Sequence, residues 1–481
     1  MKRALCMLVL SIPTWALAAP LSLQQALEEA LARNPELATS KLGVESAEAQ
    51  VLSAQSIYDP TLTVSGTGSD SSQNQLFNGI VFNSEESSLS TFSRIGGSLS
   101  TGTTYSAKVG YNASTRTGTG FDGGQTETVR AEPRVDLDVE QQLLRGHRTA
   151  YNRRRVISAN NSVDISQLRL AARGQRVLGD VSRAYWTWVN NDEVHQVAEE
   201  RHKVALEALR IGQTQLDAGR IAAVDVTRLE TEAVRAEVGV VNANRTVAES
   251  ADSLMLLLGR QPGEDLSPSD SIAVADQGDL DVGVAVELAM TGNQDLRIAS
   301  LEVDQATLDT KLSRHALLPS LAVSASLGVS SVSNTVDDQK DDPFANRTLS
   351  GGATYSMPLG NRAARGEMQS AQATEATKRI SLESLRRSIA QSVAKQVRTI
   401  DAASRQITLV EKEVELAELT LKAEEARAAA GRVVQKDVLE ARTSLFDAKV
   451  RAAKARADHQ LAVVELRRLQ GSLDLQSASG R

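Results

Sequence analysis

The chain has 481 residues, only 3% of them aromatic and 23% charged, and its formal net charge is −7 at pH 7. Alanine, glutamate, arginine, leucine and valine dominate the long segments, which therefore cannot bury a thick globular core and favour long, thin helices. The acidic balance excludes a typical nucleic-acid-binding protein, so we expect no nucleic-acid partner.

The first 18 residues have the pattern of a secretory signal peptide. Lys2 and Arg3 precede an apolar run from Ala4 to Leu10, and small residues up to Ala18 suit cleavage after that position. The run is too short for a membrane helix. Cleavage would remove two basic residues and take the net charge from −7 to −9. It would also remove Cys6, the only cysteine, so the mature chain would carry no thiol, disulfide or lipid-modified cysteine.

Repeat 1 is predicted over residues 19–259 and opens with a helix at 21–56. Ser22 is a plausible N-cap, because apolar residues recur at helical spacing directly after it. Strands and loops follow over 58–144. Pro60 suits the first position of a strand, where its missing N–H costs least. After it, apolar residues recur at every second position, as they do in a strand.

The strand that returns towards the next helix has two chemically different faces. Apolar and acidic residues alternate along it: Val135, Leu137 and Val139 against Asp136, Asp138 and Glu140. This alternation fits the wall of a membrane barrel, with lipid outside and the three acids in a water-filled lumen. A half-buried sheet in a soluble protein accounts for it equally well.

An additional hairpin is predicted in repeat 1 from Ser98 to Asn112, turning near Thr101-Gly102-Thr103. The offset between matching landmarks of the two repeats falls from 259 before the strands to about 215 after them. Repeat 1 therefore holds roughly 45 more residues in this region. The hairpin would either widen a barrel or form an external flap.

A very long helix is predicted at 145–216, and its ~70 residues would span roughly 100 Å at 1.5 Å per residue. It ends at Ala218-Gly219-Arg220, because glycine is a usual helix terminator. The helix at 222–258 then runs back with a stripe that repeats every 3.5 residues, the period of a coiled coil. The stripe consists of Ala222, Val226, Leu229, Ala233, Ala236, Val240, Ala243, Val247, Ser250, Leu254 and Leu257.

The same stripe appears 212 residues later, which indicates a tandem duplication. The second copy consists of Val434, Val438, Ala441, Leu445, Ala448, Ala452, Ala455, His459, Ala462, Leu466 and Leu469. After a linker at 260–283, repeat 2 is predicted over 284–481. Its elements are a helix at 284–317, strands at 319–359 and long helices at 361–429 and 433–470, with the turn triplet Ala430-Gly431-Arg432.

Four convincing strands, or six with the additional hairpin, are too few to close a barrel, for which about eight is the minimum. An open sheet in lipid would leave unpaired backbone groups at both edges. If the strands cross a membrane, several identical chains must therefore share one barrel, and cyclic symmetry is the simplest arrangement. The coiled-coil stripes would then pack between chains as well as within them.

The ordered set of landmarks, present twice, resembles the TolC-like outer-membrane efflux proteins over essentially the whole mature chain. The landmarks are Ala32 to Leu37, the strand entries at Pro60 and Pro319, the strand exits Gln141 to Gly146 and Met357 to Gly360, and the turns Gly219 to Val226 and Gly431 to Val438. The resemblance implies a mainly α protein with a β-barrel part. In that fold a trimeric α-helical coiled-coil tunnel, built from two tandem repeats, joins an outer-membrane β-barrel.

The resemblance further implies a homotrimer whose 12-stranded barrel lies in outer-membrane lipid and whose helices cross the periplasm. Such a protein is a passive exit duct of a tripartite efflux or type I secretion system, and it is not an enzyme. Its partners would be a periplasmic adaptor and an inner-membrane pump, and neither a cofactor nor a metal is expected. The alternative is a secreted structural coiled-coil protein with a soluble β cap, which would be extracted without detergent.

By the same resemblance, the helix turns form a periplasmic tip that contacts the adaptor and closes the pore. The tip positions are Gly219, Arg220, Gly431 and Arg432, and the gate positions are Asp225, Arg432, Asp437 and Glu440. Acids crowded around a threefold axis would repel one another, and an arginine would hold the closed helices by ion pairing. Ala428 departs from the pattern, because the best-known family member has a tyrosine there. First-turn helix acids beside the helix dipole explain Asp225 and Asp437 equally well.

Overall fold

The computed structural model describes residues 19–77, 80–119, 124–272, 280–331, 346–429 and 435–473. The predicted signal peptide and the positions Gly431 and Arg432 lie outside the described residues. The chain divides into two compact units. The helical unit comprises Met1–Gly43, Gln167–Ile298 and Leu382–Arg481, and the sheet unit comprises Val44–Ser166 and Ala299–Ser381.

Repeat 1 begins with a capped helix, as predicted. The Ser22 hydroxyl accepts a hydrogen bond from the Gln25 N–H, and the Gln25 side chain accepts one from the Ser22 N–H, which is a capping box. The elements of repeat 1 are β1 (Ala19–Leu21), α1 (Leu23–Arg33), α2 (Pro35–Gln55), β2 (Thr61–Phe77), β3 (Ile80–Ser98), β4 (Thr103–Thr119), β5 (Gln125–Gln142), α3 (Thr149–Asn152), α4 (Arg154–Asp217) and α5 (Ala223–Leu258).

Repeat 2 follows the same order, with two strands in its sheet where repeat 1 has four. After the short β6 (Leu266–Pro268), its elements are α6 (Val282–Gly292), α7 (Gln294–Ala316), β7 (Ser320–Ser330), β8 (Asn346–Ser356), α8 (Arg362–Ala429) and α9 (Gln435–Gln470). The longest helices, α4 and α8, have 64 and 68 residues. Across the described ranges, every helix is either too short or too polar to cross a membrane.

An asparagine divides each of the two opening helices, which the sequence had predicted to be continuous. Asn34 accepts a hydrogen bond from the backbone N–H two residues later at 2.9 Å, and its side-chain amide donates to the Leu257 carbonyl at 2.8 Å. Asn293 does the same in repeat 2, at 3.0 Å, and donates to the Leu469 carbonyl at 2.9 Å. The extended backbone of both residues ends one helix, and their side chains cap the next.

The sheet unit holds one antiparallel sheet of six strands in the order β2-β3-β4-β5-β7-β8. The predicted additional hairpin is formed by β3 and β4, and its turn at residues 99–102 is close to the predicted one. A trimeric 12-stranded barrel, which the resemblance implied, requires four strands from each chain. The described part of this chain has six strands in one sheet, two more than that number.

The strand pairing separates the side chains of the sheet into two faces, because cross-strand partners lie on the same face. One row of partners, the apolar row, crosses all six strands: Leu62, Ile95, Ala107, Leu137, Leu327 and Leu349. The next row, the polar row, is Thr63, Arg94, Lys108, Asp136, Gly328 and Thr348. The leucines and the isoleucine of the apolar row are exposed in the single chain.

Within the helical unit, the long helices α4, α5, α8 and α9 pack through alanine-rich seams. Ala205 of α4 packs against Ala233 and Ala236 of α5, and Ile407 and Val410 of α8 pack against Ala452 and Ala455 of α9. Lys449 of α9 pairs with Glu200 of α4 at 3.2 Å. Hence α4 lies between α5 and α9, and α9 lies between α4 and α8.

A buried tyrosine fixes the start of the predicted linker at 260–283. The Tyr185 hydroxyl donates to the Asp270 carboxylate at 2.8 Å, and Asp270 also accepts from the Leu23 N–H at 2.7 Å. Burial and the Asp270 carboxylate raise the pKa of Tyr185 well above its usual range. The strand β6 pairs in parallel with β1 beside this contact. The linker therefore begins as ordered structure within the helical unit.

Candidate functional site

The first long hairpin turns through a glycine in the left-handed conformation. Gly219 has φ +65°, and its N–H donates to the Leu216 carbonyl at 2.8 Å. The Arg220 N–H donates to the Gln215 carbonyl at the same distance, which completes a Schellman motif. A Cβ on Gly219 would meet nothing within 4 Å. The need for glycine at this turn therefore comes from its backbone angle and not from crowding.

Asp225 lies in the first turn of α5 and pairs with Arg228. The carboxylate and guanidinium are 3.7 Å apart, and both side chains are largely exposed. An exposed pair of this kind adds little stability. It does neutralise the acid, and the carboxylate also lies favourably beside the helix N-terminus.

The second turn has a different charge pattern. Asp437 lies in the first turn of α9, 212 residues after Asp225, and its side chain is exposed. Glu440 stands 212 residues after Arg228, so the second turn places two acids where the first has an acid and a base. Gly431 and Arg432 lie outside the described residues.

An ion pair joins the two helices near the second turn. Arg442 of α9 reaches Glu425 of α8 at 2.9 Å. Glu425 lies three residues before Ala428, which is described as part of α8. The structure therefore offers a polar link between α8 and α9 close to Ala428.

The three acids predicted for a lumen share the polar face of the sheet. Asp136, Asp138 and Glu140 alternate along β5 with the apolar residues, and Asp136 is the cross-strand partner of Lys108. Arg134 donates through Nε to both carboxylate oxygens of Asp136, at 2.7 and 2.9 Å. The acids of β5 thus border the basic residues of β3 and β4 in a charged band of both signs.

The basic half of this charged band was not predicted from the sequence. Arg94 and Lys108 are cross-strand partners on β3 and β4, which is unfavourable for two like charges taken alone. Asp136, the next member of the polar row, offsets that repulsion. The alternation of Arg94 with Ile95 and of Lys108 with Val109 was the available signal.

The chain matches the outer membrane efflux protein family over residues 102–260 and 285–472. The pyoverdine export outer membrane protein OpmQ of Pseudomonas aeruginosa is 26% identical over 343 residues, which cover 70% of this chain and 66% of OpmQ. The outer membrane protein TolC of Salmonella enteritidis is 26% identical over 315 residues, covering 63% of this chain and 62% of TolC. The chain thus spans just under two thirds of the length of each relative.

Solved channel structures share the fold over nearly the whole chain. The outer-membrane channel OprN has a TM-score of 0.69 at 17% identity, with 94% of this chain and 90% of that chain covered. The outer membrane protein VceC of Vibrio cholerae has a TM-score of 0.68 at 15% identity, with 93% and 96% covered. The predicted TolC-like fold class, with its tandem repeats, is confirmed. Because the family model matches more than half of the chain, the chain belongs to the outer membrane efflux protein family, which places it in the outer membrane.

Proposed function

We propose that this chain is the outer-membrane duct of a tripartite efflux or type I secretion system, through which cargo passes without chemical change. The observation that carries the proposal is the two-faced sheet. Its apolar face suits lipid and its polar face suits a water-filled lumen. Within the described residues the outer edges of β2 and β8 are unpaired, and in lipid those backbone groups need partners.

The helical unit supports a ring of copies. Val234 and Val238 of α5 and Leu409 and Leu416 of α8 are exposed in the single chain. Covering such side chains releases the water around them, which favours association. In a homotrimer with cyclic symmetry, α5 of one copy would pack against α8 of the next and enclose a tunnel that extends into the periplasm.

The paired turns would form the gate at the end of this tunnel. Asp437 and Glu440 from three copies would bring six carboxylates (3 × 2) around the axis. Asp225 would add less repulsion because Arg228 neutralises it. Arg432 would supply the opposing charge of the second turn. The second turn would thus bring more acidic side chains to the axis than the first.

The tips of the hairpins would contact the periplasmic adaptor, and through it the inner-membrane pump. Gly219 and Arg220 are exposed at the end of α4, as a docking surface requires. The Schellman motif at Gly219 gives this tip one defined backbone shape. Gly431 and Arg432 are proposed for the matching tip in repeat 2.

Location and pore formation test the proposal directly. The mature protein should leave the outer-membrane fraction only with detergent, as a trimer, and should form water-filled pores in planar bilayers. Leu62→Asp places a charge on the lipid face and should reduce insertion, whereas the neighbouring Thr63→Asp on the polar face should not. A water-soluble single chain with intact strands would overturn the duct and favour the structural coiled-coil alternative.

A reciprocal exchange tests the gate. Arg228→Glu gives the first turn the charges of the second and should increase cation preference in single-channel recordings. Glu440→Arg gives the second turn the charges of the first and should reduce it. The chain with Asp225, Asp437 and Glu440 all replaced by alanine should change conductance. Unchanged conductance and ion preference in all these variants would remove the turns from the gate.

Adaptor capture tests the tips. Gly219→Pro should weaken pull-down of the adaptor, since proline cannot adopt the positive φ of Gly219. Gly431→Pro is expected to do the same at the matching tip of repeat 2. Gly239→Ala is the control, because it lies inside α5 with open space around it. Normal adaptor binding by both proline variants would contradict the assignment of the tip.

A further inference from the structure

The additional hairpin lies in the middle of the sheet. β2 pairs with β3 along its whole length, from Thr61 to Phe77, and β4 pairs with β5 from Thr103 to Thr119. Within the described residues, β2 and β5 share no pairing. An external flap would leave β2 and β5 paired with each other at membrane level. The pairing thus makes β3 and β4 part of the sheet that meets the membrane.

Both faces of the sheet continue across the hairpin. Ile95 and Ala107 belong to the apolar row, and Arg94 and Lys108 belong to the polar row. Tyr105 covers Gly97, its cross-strand partner: a Cβ added to Gly97 would meet the Tyr105 phenol oxygen at 2.9 Å. The aromatic ring fills the place of the missing side chain. β3 and β4 therefore present the same two surfaces as the strands beside them.

Hydrogen bonds tie the hairpin turn to the base of the sheet unit. The Ser98 hydroxyl donates to the Ile57 carbonyl at 2.8 Å, just before β2 begins. The Asn152 side-chain amide donates to the Ser100 carbonyl at 3.1 Å and to the Gly146 carbonyl at 2.7 Å. The hairpin thus reaches the end of the sheet where the other strands meet their helices. A flap on the opposite, external side would make none of these contacts.

We propose that three copies of this chain close a single barrel of 18 strands (3 × 6), in which β2 of each copy pairs with β8 of the next. The proposal rests on the outer-membrane duct proposed above. The sheet has an even number of antiparallel strands, so its two edge strands are themselves antiparallel and can pair like the others. Leu62 on β2 is 70% exposed and Leu349 on β8 is 81% exposed, against 46% for Leu137 in the middle of the same row, because each edge residue lacks a neighbouring strand on one side.

An 18-stranded barrel would be about 1.5 times as wide as one of 12 strands, since diameter grows roughly linearly with strand number. Barrels of 16–18 strands enclose an aqueous channel. Three charged bands, each with acids on β5 beside bases on β3 and β4, would line that channel. The outer mouth would then admit bulkier cargo than the mouth of a 12-stranded barrel. The periplasmic gate would then determine which cargo passes.

Paired cysteines in a Cys6→Ser chain, which has no other cysteine, test the strand order in outer membranes. Leu62→Cys with Ile95→Cys, and Ala107→Cys with Leu137→Cys, join cross-strand partners and should form disulfides within one chain. Leu62→Cys with Tyr355→Cys should instead give covalent dimers and trimers on non-reducing gels. A disulfide between Val64→Cys and Val139→Cys would require β2 beside β5 and would overturn the proposal.

Cryo-electron microscopy of the detergent-extracted trimer provides an independent count. Eighteen strands around the barrel are expected, and 12 strands with the hairpin outside the wall would overturn the inference. This result is separable from the proposed function. An 18-stranded trimer that binds no adaptor would contradict the export role alone, whereas a 12-stranded trimer that forms pores would contradict the strand count alone.

Discussion

The two repeats agree closely where the opening helix meets the long helices and differ most in the sheet. Asn34 and Asn293 occupy equivalent places and donate to equivalent carbonyls, those of Leu257 and Leu469. The sheet has four strands from repeat 1 and two from repeat 2. Both repeats thus share the hydrogen bond from the asparagine side chain to a helix-end carbonyl. They differ in the sheet, to which repeat 1 contributes twice as many strands as repeat 2.

The difference shows where this fold accepts an insertion. A hairpin adds two strands at once, so the strands after it keep their directions and their apolar and polar faces. The junction has no such freedom, because each asparagine satisfies a buried carbonyl and the first N–H groups of a helix. Whether the two junctions are energetically as similar as they are geometrically can be measured with matched substitutions.

The largest expected effect is at the glycines that end α5 and α9. Gly259 and Gly471 have φ +73° and +69°, where an L residue loses roughly 1–2 kcal/mol. A Cβ on Gly471 would also collide with the Gly292 carbonyl oxygen, whereas on Gly259 it would lie 3.0 Å from the Arg33 carbonyl oxygen. Gly471→Ala should therefore destabilise by about 3 kcal/mol and Gly259→Ala by about 2 kcal/mol.

Thermal unfolding followed by circular dichroism at 222 nm measures the two glycine variants. Gly239→Ala provides the control, because its helical position should gain about 0.5–1 kcal/mol. If Gly471→Ala unfolds at the same temperature as the control, the crowding at this junction has no energetic consequence.

The next largest losses of stability are expected at the two asparagines, and the two losses should be equal. Asn34→Leu and Asn293→Leu each leave one carbonyl and the capped N–H groups without their partner, which should cost about 2 kcal/mol at either site. Asn→Asp keeps the capping oxygen and loses only the donor, so those variants should lose less than the leucine variants. Losses that differ by more than about 1 kcal/mol between the sites would show that the junctions are not equivalent.

Local signals in the sequence predicted much of the fold. The Ser22 cap, the glycine turn at Gly219 and the 3.5-residue stripes each depend on residues within a few turns of one another. The break at Asn34 was not predicted, although Pro35 follows it, because the apolar pattern continues on both sides. Asn293 has no proline after it, so its break depends on a contact 176 residues away that local pattern does not reveal.

The sheet shows the same limit at longer range. The alternation in β5 predicted a face for Asp136, Asp138 and Glu140 but not which side chains lie beside them. Arg94 and Lys108 reach that band only through the pairing of β3 with β4 and of β4 with β5. The sequence therefore left open whether the hairpin widens the barrel, because strand order is a non-local property.

An ion pair present in repeat 1 alone should make stability depend on pH. Arg260 donates through Nε to Glu29 at 2.9 Å, and this hydrogen bond holds the pKa of Glu29 below its usual 4.5. Leu288 and Ser472 take the matching places in repeat 2 and carry no charge. The stabilisation is complete above pH 4.5 and is lost as pH falls from there through the lower pKa of the folded state.

Glu29→Gln removes this ion pair together with the one between Glu29 and Arg33. At pH 7 the variant should be less stable than the parent chain by roughly 1.5 kcal/mol. The difference between the two chains should shrink as unfolding is measured at progressively lower pH below 4.5. A gap of constant size down to pH 3 would mean that Glu29 keeps its ordinary pKa in the folded chain.

The smallest expected effect concerns the stripe position that holds Val247 in repeat 1 and His459 in repeat 2. His459 is 2% exposed and burial lowers its pKa below the usual 6.5, so the folded chain resists a proton that the unfolded chain accepts. Stability should therefore fall as pH drops from about 6.5 towards the folded pKa. His459→Leu should flatten this part of the pH profile, and the reciprocal Val247→His should steepen it. If stability depends on pH in the same way in all three chains, a histidine in this seam titrates as it does in water. The stripe would then fail to exclude solvent from the histidine side chain.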